Sequence, residues 1–192
     1  MRLEIAHNPL MRGCEGLGQL VGLRALYIAA CGQLRDVAAL SSLVDLRTLH
    51  VTCCKLYMPR AGSLAPSLAL MPQLTSLNLA GNFIGDAGAA SLAPILARMA
   101  QLTSIDLSCN AIGDAGAASL APSLARMAQL TSLDLGGNGI GAAGAASLAP
   151  SLALMPQLAS LYLGDNYIGD AGAASLAPSL ARLTLLTSLD LS

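Results

Sequence analysis

The sequence is poor in the residues on which several function classes depend. Its 192 residues contain no tryptophan, one phenylalanine and one lysine, and charged residues make up only 11% of the chain. The formal net charge is −1, and the nine arginines are spread thinly. Because no basic patch is present to neutralise phosphates, we expect no nucleic-acid partner.

Uninterrupted apolar segments are also scarce, although 54% of the residues are hydrophobic. The charge-free stretch 135–164 contains two prolines, six glycines and polar side chains, so we reject it as a membrane span and expect no membrane insertion. The first ten residues, MRLEIAHNPL, lack the apolar core of a signal peptide. We therefore expect an intracellular, cytoplasmic setting.

The cysteines do not form the pattern of a secreted disulfide framework. Their number is odd and their spacing is irregular, which argues against paired bridges. The five cysteines are Cys14, Cys31, Cys53, Cys54 and Cys109.

What the chain does contain is an internal repeat. Residues 74–101 read LTSLNLAGNFIGDAGAASLAPILARMAQ, and edited copies of this stretch follow without a gap, from Leu102, Leu130 and Leu158. A truncated copy begins at Leu186, so the interval between starts never changes. A fixed period of this length indicates one supersecondary unit that buries its apolar face by stacking on its own copies.

The repeats divide the chain without a linker. We predict a single domain over residues 1–192, with two shorter repeats in 1–45, five repeats of the long type in 46–185, and a terminal partial strand in 186–192. The unit is L-x-x-L-x-L-x-x-N-x-I, and its first six residues alternate between apolar and polar side chains. That period of two predicts eight strands, each buried on one face only.

The polar side of these strands decides between parallel α/β folds. Doubly wound sheets need strands that are apolar on both faces, and barrels fill their interior with branched side chains. Here the fifth place of the unit reads Glu4, Tyr27, His50, Asn78, Asp106, Asp134, Tyr162 and Asp190. An open sheet with one wet face is therefore predicted.

A helix is expected to follow each turn. Asp86, Asp114 and Asp170 stand just before the AGAASLA segment, where an N-cap belongs, and the third repeat places Pro59 near its first helical turn. A proline recurs inside the helical half of every long repeat, so we expect short helices that are broken or bent there. These prolines are Pro66, Pro94, Pro122, Pro150 and Pro178.

The segment LTSLDLGGNGIGAAGAASLAPSLALMPQ resembles the leucine-rich repeat, and its length and helical half are similar to the ribonuclease-inhibitor-like subclass. The resemblance covers essentially the whole chain. The first two repeats depart from it by being shorter and cysteine-containing, so their outer side is expected to be 3₁₀ or irregular. The family implies an α/β right-handed solenoid, or horseshoe, with a parallel sheet on the concave face and helices on the convex face.

The ninth place of the unit has a structural interpretation. A buried asparagine side chain there can bond the backbone groups of the turn, and a cysteine thiol can donate weakly to the same carbonyls. The predicted ladder comprises Asn8, Cys31, Cys54, Asn82, Asn110, Asn138 and Asn166.

Three motifs resemble a metal site, a dinucleotide site and a catalytic carboxylate pair, but their context argues against each of these functions. His50, Cys53 and Cys54 lie close together, but successive strand residues point to opposite faces, so a metal site is not expected. GIGAAG at Gly139–Gly144 matches a dinucleotide fingerprint, yet the sister repeats read FIGDAG, AIGDAG and YIGDAG. Asp106 and Asp134 should be neighbours on an exposed sheet without a cleft or a nucleophile. We therefore expect no enzyme activity, no metal and no cofactor.

The leading hypothesis is a non-catalytic scaffold that binds a protein partner on its concave face. The alternatives are a structural array without a specific ligand, and a fragment of a larger signalling or regulatory protein, since some ribonuclease-inhibitor-like repeats act on small GTPases. Neither end carries a polar capping unit, so we also expect either a longer protein or self-association through the ends. The candidate contact residues form an N-terminal strip of Tyr27, Arg47, His50 and Lys55 and a C-terminal group of Tyr162, Asp165 and Tyr167, with Phe83 between them and Asp106 and Asp134 in a central acidic stripe.

Overall fold

The computed structural model describes residues 1–56 and 60–192. In these residues eight strands form one open sheet, every neighbouring pair is parallel, and the order in the sheet follows the chain. The strands are β1 (Arg2–Ala6), β2 (Ala25–Ala29), β3 (Thr48–Thr52), β4 (Ser76–Asn78), β5 (Ser104–Asp106), β6 (Ser132–Asp134), β7 (Ser160–Tyr162) and β8 (Ser188–Asp190).

The strand register places the same position of every repeat in one column. The pairing follows the shorter repeat from β1 to β3, as in Leu26↔Leu49, and the longer repeat beyond β3, as in Leu77↔Ile105. In β2 to β7 the apolar members are buried between the sheet and the outer layer, while their neighbours on the other face stay half exposed. The predicted open sheet with one apolar face is confirmed.

The outer layer changes type along the chain. The first two connections contain 3₁₀ helices at Glu15–Gln19 and Ala38–Ser42, as expected, because the shorter coils leave little chain for helical turns. The later coils carry longer helices, and neighbouring helices pack side by side. These are α1 (Arg60–Leu68), α2 (Gly85–Leu96), α3 (Asp114–Leu124), α4 (Ala142–Leu152) and α5 (Gly169–Leu180).

The recurring prolines lie close to the helix ends. Each of the five helices contains its proline and continues for two residues beyond it, as α3 does from Pro122 to Leu124. With 9 to 12 residues, the helices are short, as expected. Each proline therefore lies in the last turn of its helix, where its missing N–H removes one helical hydrogen bond.

The prediction that the aspartates cap their own helices is wrong. Asp114 is the first residue of α3, and Asp86 is the second residue of α2; neither helix has a side-chain cap from its own repeat. Asp170 is likewise the second residue of α5. The carboxylates of Asp86 and Asp114 instead reach the helix of the following repeat, because stacked coils bring successive helix N-termini side by side. The expectation for Pro59 lies outside the described residues.

Among the helices of the described residues, none is long and apolar enough to cross a membrane.

Candidate functional site

The turns after the strands are joined by buried asparagine side chains. Asn110 Oδ1 accepts the N–H groups of Asn82 and Ile84 from the preceding coil at 3.0 and 3.3 Å. Its Nδ2 donates to the carbonyls of Leu79 and Leu107 at 2.9 and 3.0 Å. Each asparagine thus bonds two coils at once. Asn82, Asn138 and Asn166 make corresponding bonds.

The first members of this column behave differently. Cys54 Sγ donates to Thr52 O of its own coil at 3.1 Å and to Ile28 O of the preceding coil at 3.8 Å. Cys31 Sγ donates to Ala29 O of its own coil at 3.4 Å. Asn8 is exposed and bonds only within its own turn, to Leu10 N–H.

The five cysteines are free thiols, and the buried ones are chemically quiet. Burial raises the pKa of Cys14 to about 12 and the pKa of Cys54 to about 11, so both stay protonated at neutral pH. Cys53 is exposed whereas the adjacent Cys54 is buried. Within the described residues, no group of three or more histidine, cysteine, aspartate or glutamate side chains is arranged to hold a metal ion.

The GIGAAG segment is already occupied by a carboxylate from its own chain. Asp114 Oδ1 accepts the N–H groups of Gly141 and Gly144 at 2.7 and 2.8 Å. A Cβ at Gly144 would lie 2.6 Å from that oxygen, so the glycine is needed for the approach of the carboxylate. A phosphate would require these same N–H groups. The arrangement therefore serves stacking, and Asp86 makes the same pair of bonds to Gly113 and Gly116.

At the N-terminal end of the concave face, aromatic and basic side chains touch. The rings of Tyr27 and His50 meet edge to face with centroids 4.8 Å apart, and the Arg2 guanidinium carbon lies 4.5 Å from the centre of the Tyr27 ring. His50 Nε2 is 3.1 Å from Ser76 Oγ. Burial lowers the pKa of His50, against the opposing effect of the Asp106 carboxylate, so the ring is neutral at physiological pH.

The two other members predicted for this strip are not brought together. Arg47 is exposed immediately before β3, and Lys55 is exposed beyond the opposite end of the same strand. Lys55 lines a small cavity of about 140 Å³ with Pro9 and Gln33. The strip is therefore centred on Tyr27 and His50, with Arg47 and Lys55 beyond opposite ends of strand β3.

The central concave residues bond one another. Asp106 and Asp134 are register partners on β5 and β6. Asp106 Oδ2 accepts from Asn78 Nδ2 at 2.7 Å, and its Oδ1 accepts from the Ser108 hydroxyl at 2.7 Å. Burial raises the pKa of Asp134, the carboxylates of Asp106 and Asp190 add to this, and the Gly136 N–H opposes it. This column is a polar, acidic surface whose carboxylates accept hydrogen bonds from neighbouring strand and turn residues.

The C-terminal candidates divide between two adjoining cavities. Phe83 and Tyr167 line a cavity of about 490 Å³ along the turns, and Tyr162 and Asp165 line a cavity of about 230 Å³ closer to the sheet. Phe83 and Tyr167 are 59% and 80% exposed. Cys109 lines both cavities.

Three residues that contribute here are missing from the sequence-based candidates. Arg2 contacts Tyr27, Asp190 lines the smaller cavity, and Cys109 lines both cavities. Asp190 could have been found, because it occupies the fifth place of its repeat. The contact of Arg2 and the position of Cys109 depend on neighbouring coils, and no local motif signals them.

Comparison with known proteins identifies the repeat. The leucine-rich repeat family model matches at residues 71–93, 100–121, 128–149 and 157–177. The structure of internalin C2 from Listeria monocytogenes superposes with a TM-score of 0.65 over 100% of this chain and 80% of that chain, at 22% identity. Actin-binding site 2 of leiomodin-1 superposes with a TM-score of 0.57 over 70% of this chain and 79% of that chain, at 18% identity.

No curated protein matches the chain in sequence. At the identities above, the likeness to the two solved structures concerns the fold. The four matched stretches are leucine-rich repeats, and the sheet and helices form a leucine-rich-repeat solenoid.

Proposed function

We propose that this leucine-rich-repeat solenoid is a non-catalytic scaffold that binds a protein partner on the concave face of its sheet and on the turns beside it. The family model and the fold support a binding role, since such repeats are interaction folds. On their length and their helical half, we assign the five long repeats to the ribonuclease-inhibitor-like type. The free thiols favour a reducing, cytoplasmic setting.

The proposal rests on the positions at which the near-identical repeats differ from one another. In the middle of the convex helices the exposed positions stay constant: alanine fills each of the positions 90, 118, 146 and 174. On the concave face and turns the chemistry changes from coil to coil, from Asn78 to Tyr162 in one column and from Phe83 through Gly139 to Tyr167 in another. Both sets are solvent-accessible, so exposure alone does not explain the difference. Greater side-chain diversity at these concave and turn positions than in the middle of the convex helices is typical of a recognition surface.

The described concave residues lack an arrangement for catalysis. The Asp106 carboxylate accepts hydrogen bonds from Asn78 and Ser108, and the Asp134 carboxylate accepts one from Gly136 N–H at 2.8 Å. General acid–base catalysis needs a carboxylate directed at a substrate in an enclosed site. The open acidic column supports binding rather than reaction.

Site-specific crosslinking tests this proposal. A photoreactive phenylalanine analogue in place of Tyr162 should crosslink the partner, whereas the same group in place of Ala118 on the convex side of α3 should not. Once the crosslinked protein is identified, Tyr162→Ala and Tyr167→Ala should each weaken its binding by about tenfold or more while thermal unfolding stays unchanged. Crosslinks from Ala118 alone, or unchanged affinity in both tyrosine variants, would refute the concave-face proposal.

A further inference from the structure

A shallow apolar trough runs along the turns of the four central coils. Phe83 and Tyr167 stand at its two ends, and the equivalent residues between them are Ala111 and Gly139, the smallest side chains available. Successive coils are about 5 Å apart, so the two rings are separated by about 15 Å, the length of four or five extended residues. We name Phe83, Ala111, Gly139 and Tyr167 the aromatic trough.

Both rings are poorly covered by the protein itself. The exposed fractions of 59% for Phe83 and 80% for Tyr167 leave most of each apolar surface in water. Burial of an aromatic side chain in a complex is among the largest single contributions to binding. The trough is therefore shaped to receive apolar groups of a partner.

An acidic pocket adjoins the trough. Asp134, Tyr162, Asp165 and Asp190 line it, and it shares Cys109 and Gly137 with the larger cavity. We name those first four residues the acidic pocket. No arginine or lysine is among the described residues that line either cavity. The ion pair of the described residues, Arg2–Glu4, lies at the other end of the sheet.

The part of the chain that forms the pocket also contains few cations to balance its carboxylates. Seven of the ten arginines and lysines lie in residues 1–60, whereas seven of the eleven aspartates and glutamates lie in residues 61–192. Burial raises the pKa of Asp134, the Gly136 N–H opposes this, and repulsion by the carboxylates of Asp106 and Asp190 raises it further. A cation from a partner would relieve this repulsion, whereas a phosphate or an anionic membrane surface would increase it.

We infer that the aromatic trough and the acidic pocket together bind one extended segment of a partner protein, which presents a basic side chain to the pocket and large apolar side chains to the trough. This inference rests on the proposed scaffold function and assigns the chemistry of the partner. The two cavities adjoin, so a single segment can occupy both, with neighbouring side chains pointing into different cavities.

A displayed library of random dodecapeptides, selected on the folded chain, tests the inference. Selected peptides should carry arginine or lysine close in sequence to leucine, isoleucine, methionine or an aromatic residue. Their affinity, measured by fluorescence anisotropy, should fall by about tenfold or more in Phe83→Ala and in Tyr167→Ala. The double variant Asp134→Asn, Asp165→Asn should reduce both the affinity and its dependence on salt, because exposed ion pairs are screened.

Leu154→Ala serves as the matched control, since it removes a large apolar side chain that is 54% exposed in the turn after α4, away from both cavities, and it should leave the affinity within about twofold. Circular dichroism of every variant checks that the fold is retained. Selected peptides without basic residues, or binding that survives both aromatic substitutions, would overturn the inference. Binding that is lost in Tyr27→Ala but not in Tyr167→Ala would overturn it and leave the concave scaffold standing. A library that selects no peptide, together with a partner that does not crosslink to the concave face, would refute both.

Discussion

Helices α3 and α5 begin within the same pentapeptide, IGDAG, yet at different residues of it. In residues 112–116 the glycine is extended, with φ −90° and ψ −162°, and α3 begins at Asp114. In residues 168–172 the glycine has φ +58°, and α5 begins one residue earlier in the repeat, at Gly169. The difference lies in the preceding coil, which offers Asp86 to α3 but only Ala142 to α5.

The comparison shows that a neighbouring coil decides how identical local sequence folds. Helix α4 also begins after an extended glycine, and it receives the Asp114 carboxylate of the coil before it. The bonded N–H groups are those that a helix start leaves without intrahelical partners. A carboxylate at the positive end of the helix dipole adds a further favourable interaction. The capped helices α3 and α4 and the uncapped α5 can thus be compared within one molecule, and substitutions at their starts test the cause of the difference.

The largest loss of stability is expected from substitutions in the asparagine ladder, which stabilises capped and uncapped coils alike. Asn110→Ala removes bonds to two N–H groups and to three carbonyls, so we expect the free energy of unfolding to fall by about 3 kcal/mol, because buried backbone groups lose their partners. Chemical denaturation measures the change. Asn166→Ala, whose side chain accepts from the N–H of Ile140 alone, should cost less; equal losses would contradict this account.

A methyl group at the second glycine of the IGxAG segment should separate the capped from the uncapped helices. In Gly144→Ala the new Cβ would lie 2.6 Å from Asp114 Oδ1 and 2.8 Å from Ile140 Cγ2. We expect a loss of about 2–3 kcal/mol from overpacking and from displacement of the cap. Gly172→Ala is the matched control, because it meets Ile168 Cγ2 at 2.6 Å but no carboxylate. The denaturation midpoint of Gly144→Ala should therefore be the lower of the two.

Removal of the carboxylate itself tests the cap directly. Asp114→Ala should destabilise the protein by about 1–2 kcal/mol, since two N–H groups at the start of α4 lose their acceptor. Asp170→Ala is the control, because the exposed Asp170 carboxylate makes no hydrogen bond to the described residues. Hydrogen exchange should speed up at Gly144 N–H in the first variant only, and an equal effect of the two substitutions would rule out the cross-coil cap.

The smallest effect is a gain. Ala142→Asp supplies the uncapped helix with the missing acceptor, so the N–H groups of Gly169 and Gly172 should bond to it, and stability should rise by about 1 kcal/mol. The start of α5 should then resemble that of α3, with Gly169 changing from positive φ to an extended conformation in a crystal structure. An Ala142→Asn control separates the hydrogen bond from the charge, and an unchanged Gly169 in both variants would contradict the comparison.

The architecture could be predicted from the sequence because it depends on periodicity. The alternating leucines of LTSLNL fix which face is buried, and the fixed period fixes which strands become neighbours. The wet face that carries Asp106 and Asp134 follows from the same alternation. The type of the first two outer connections also follows from length, since their coils are shorter.

The contacts between coils could not be predicted in the same way. Asp86 bonds residues 27 and 30 positions further along the chain, whereas the sequence signal for an N-cap is local. Arg47 and Lys55 are predicted to belong to one concave strip, but β3 lies between them and places them beyond its opposite ends. Tyr162 and Tyr167 are predicted to form one group, although Tyr162 belongs to a strand and Tyr167 to a turn. Motifs report spacing along the chain, and these positions depend on where each strand ends.

Two thiols in the turns after the strands restrict which single repeats such a chain can gain or lose. Cys53 and Cys109 are each followed, one coil later, by a glycine at which a Cβ would lie 2.9 or 2.8 Å from the sulfur. Deletion of residues 102–129 would place Gly137 beside Gly81, where glycine meets glycine and no Cβ clashes. Deletion of residues 130–157 would instead place the Cβ of Asp165 against Cys109. Recombination between near-identical gene segments is therefore constrained by side-chain order, so that the two single-repeat deletions are not equivalent.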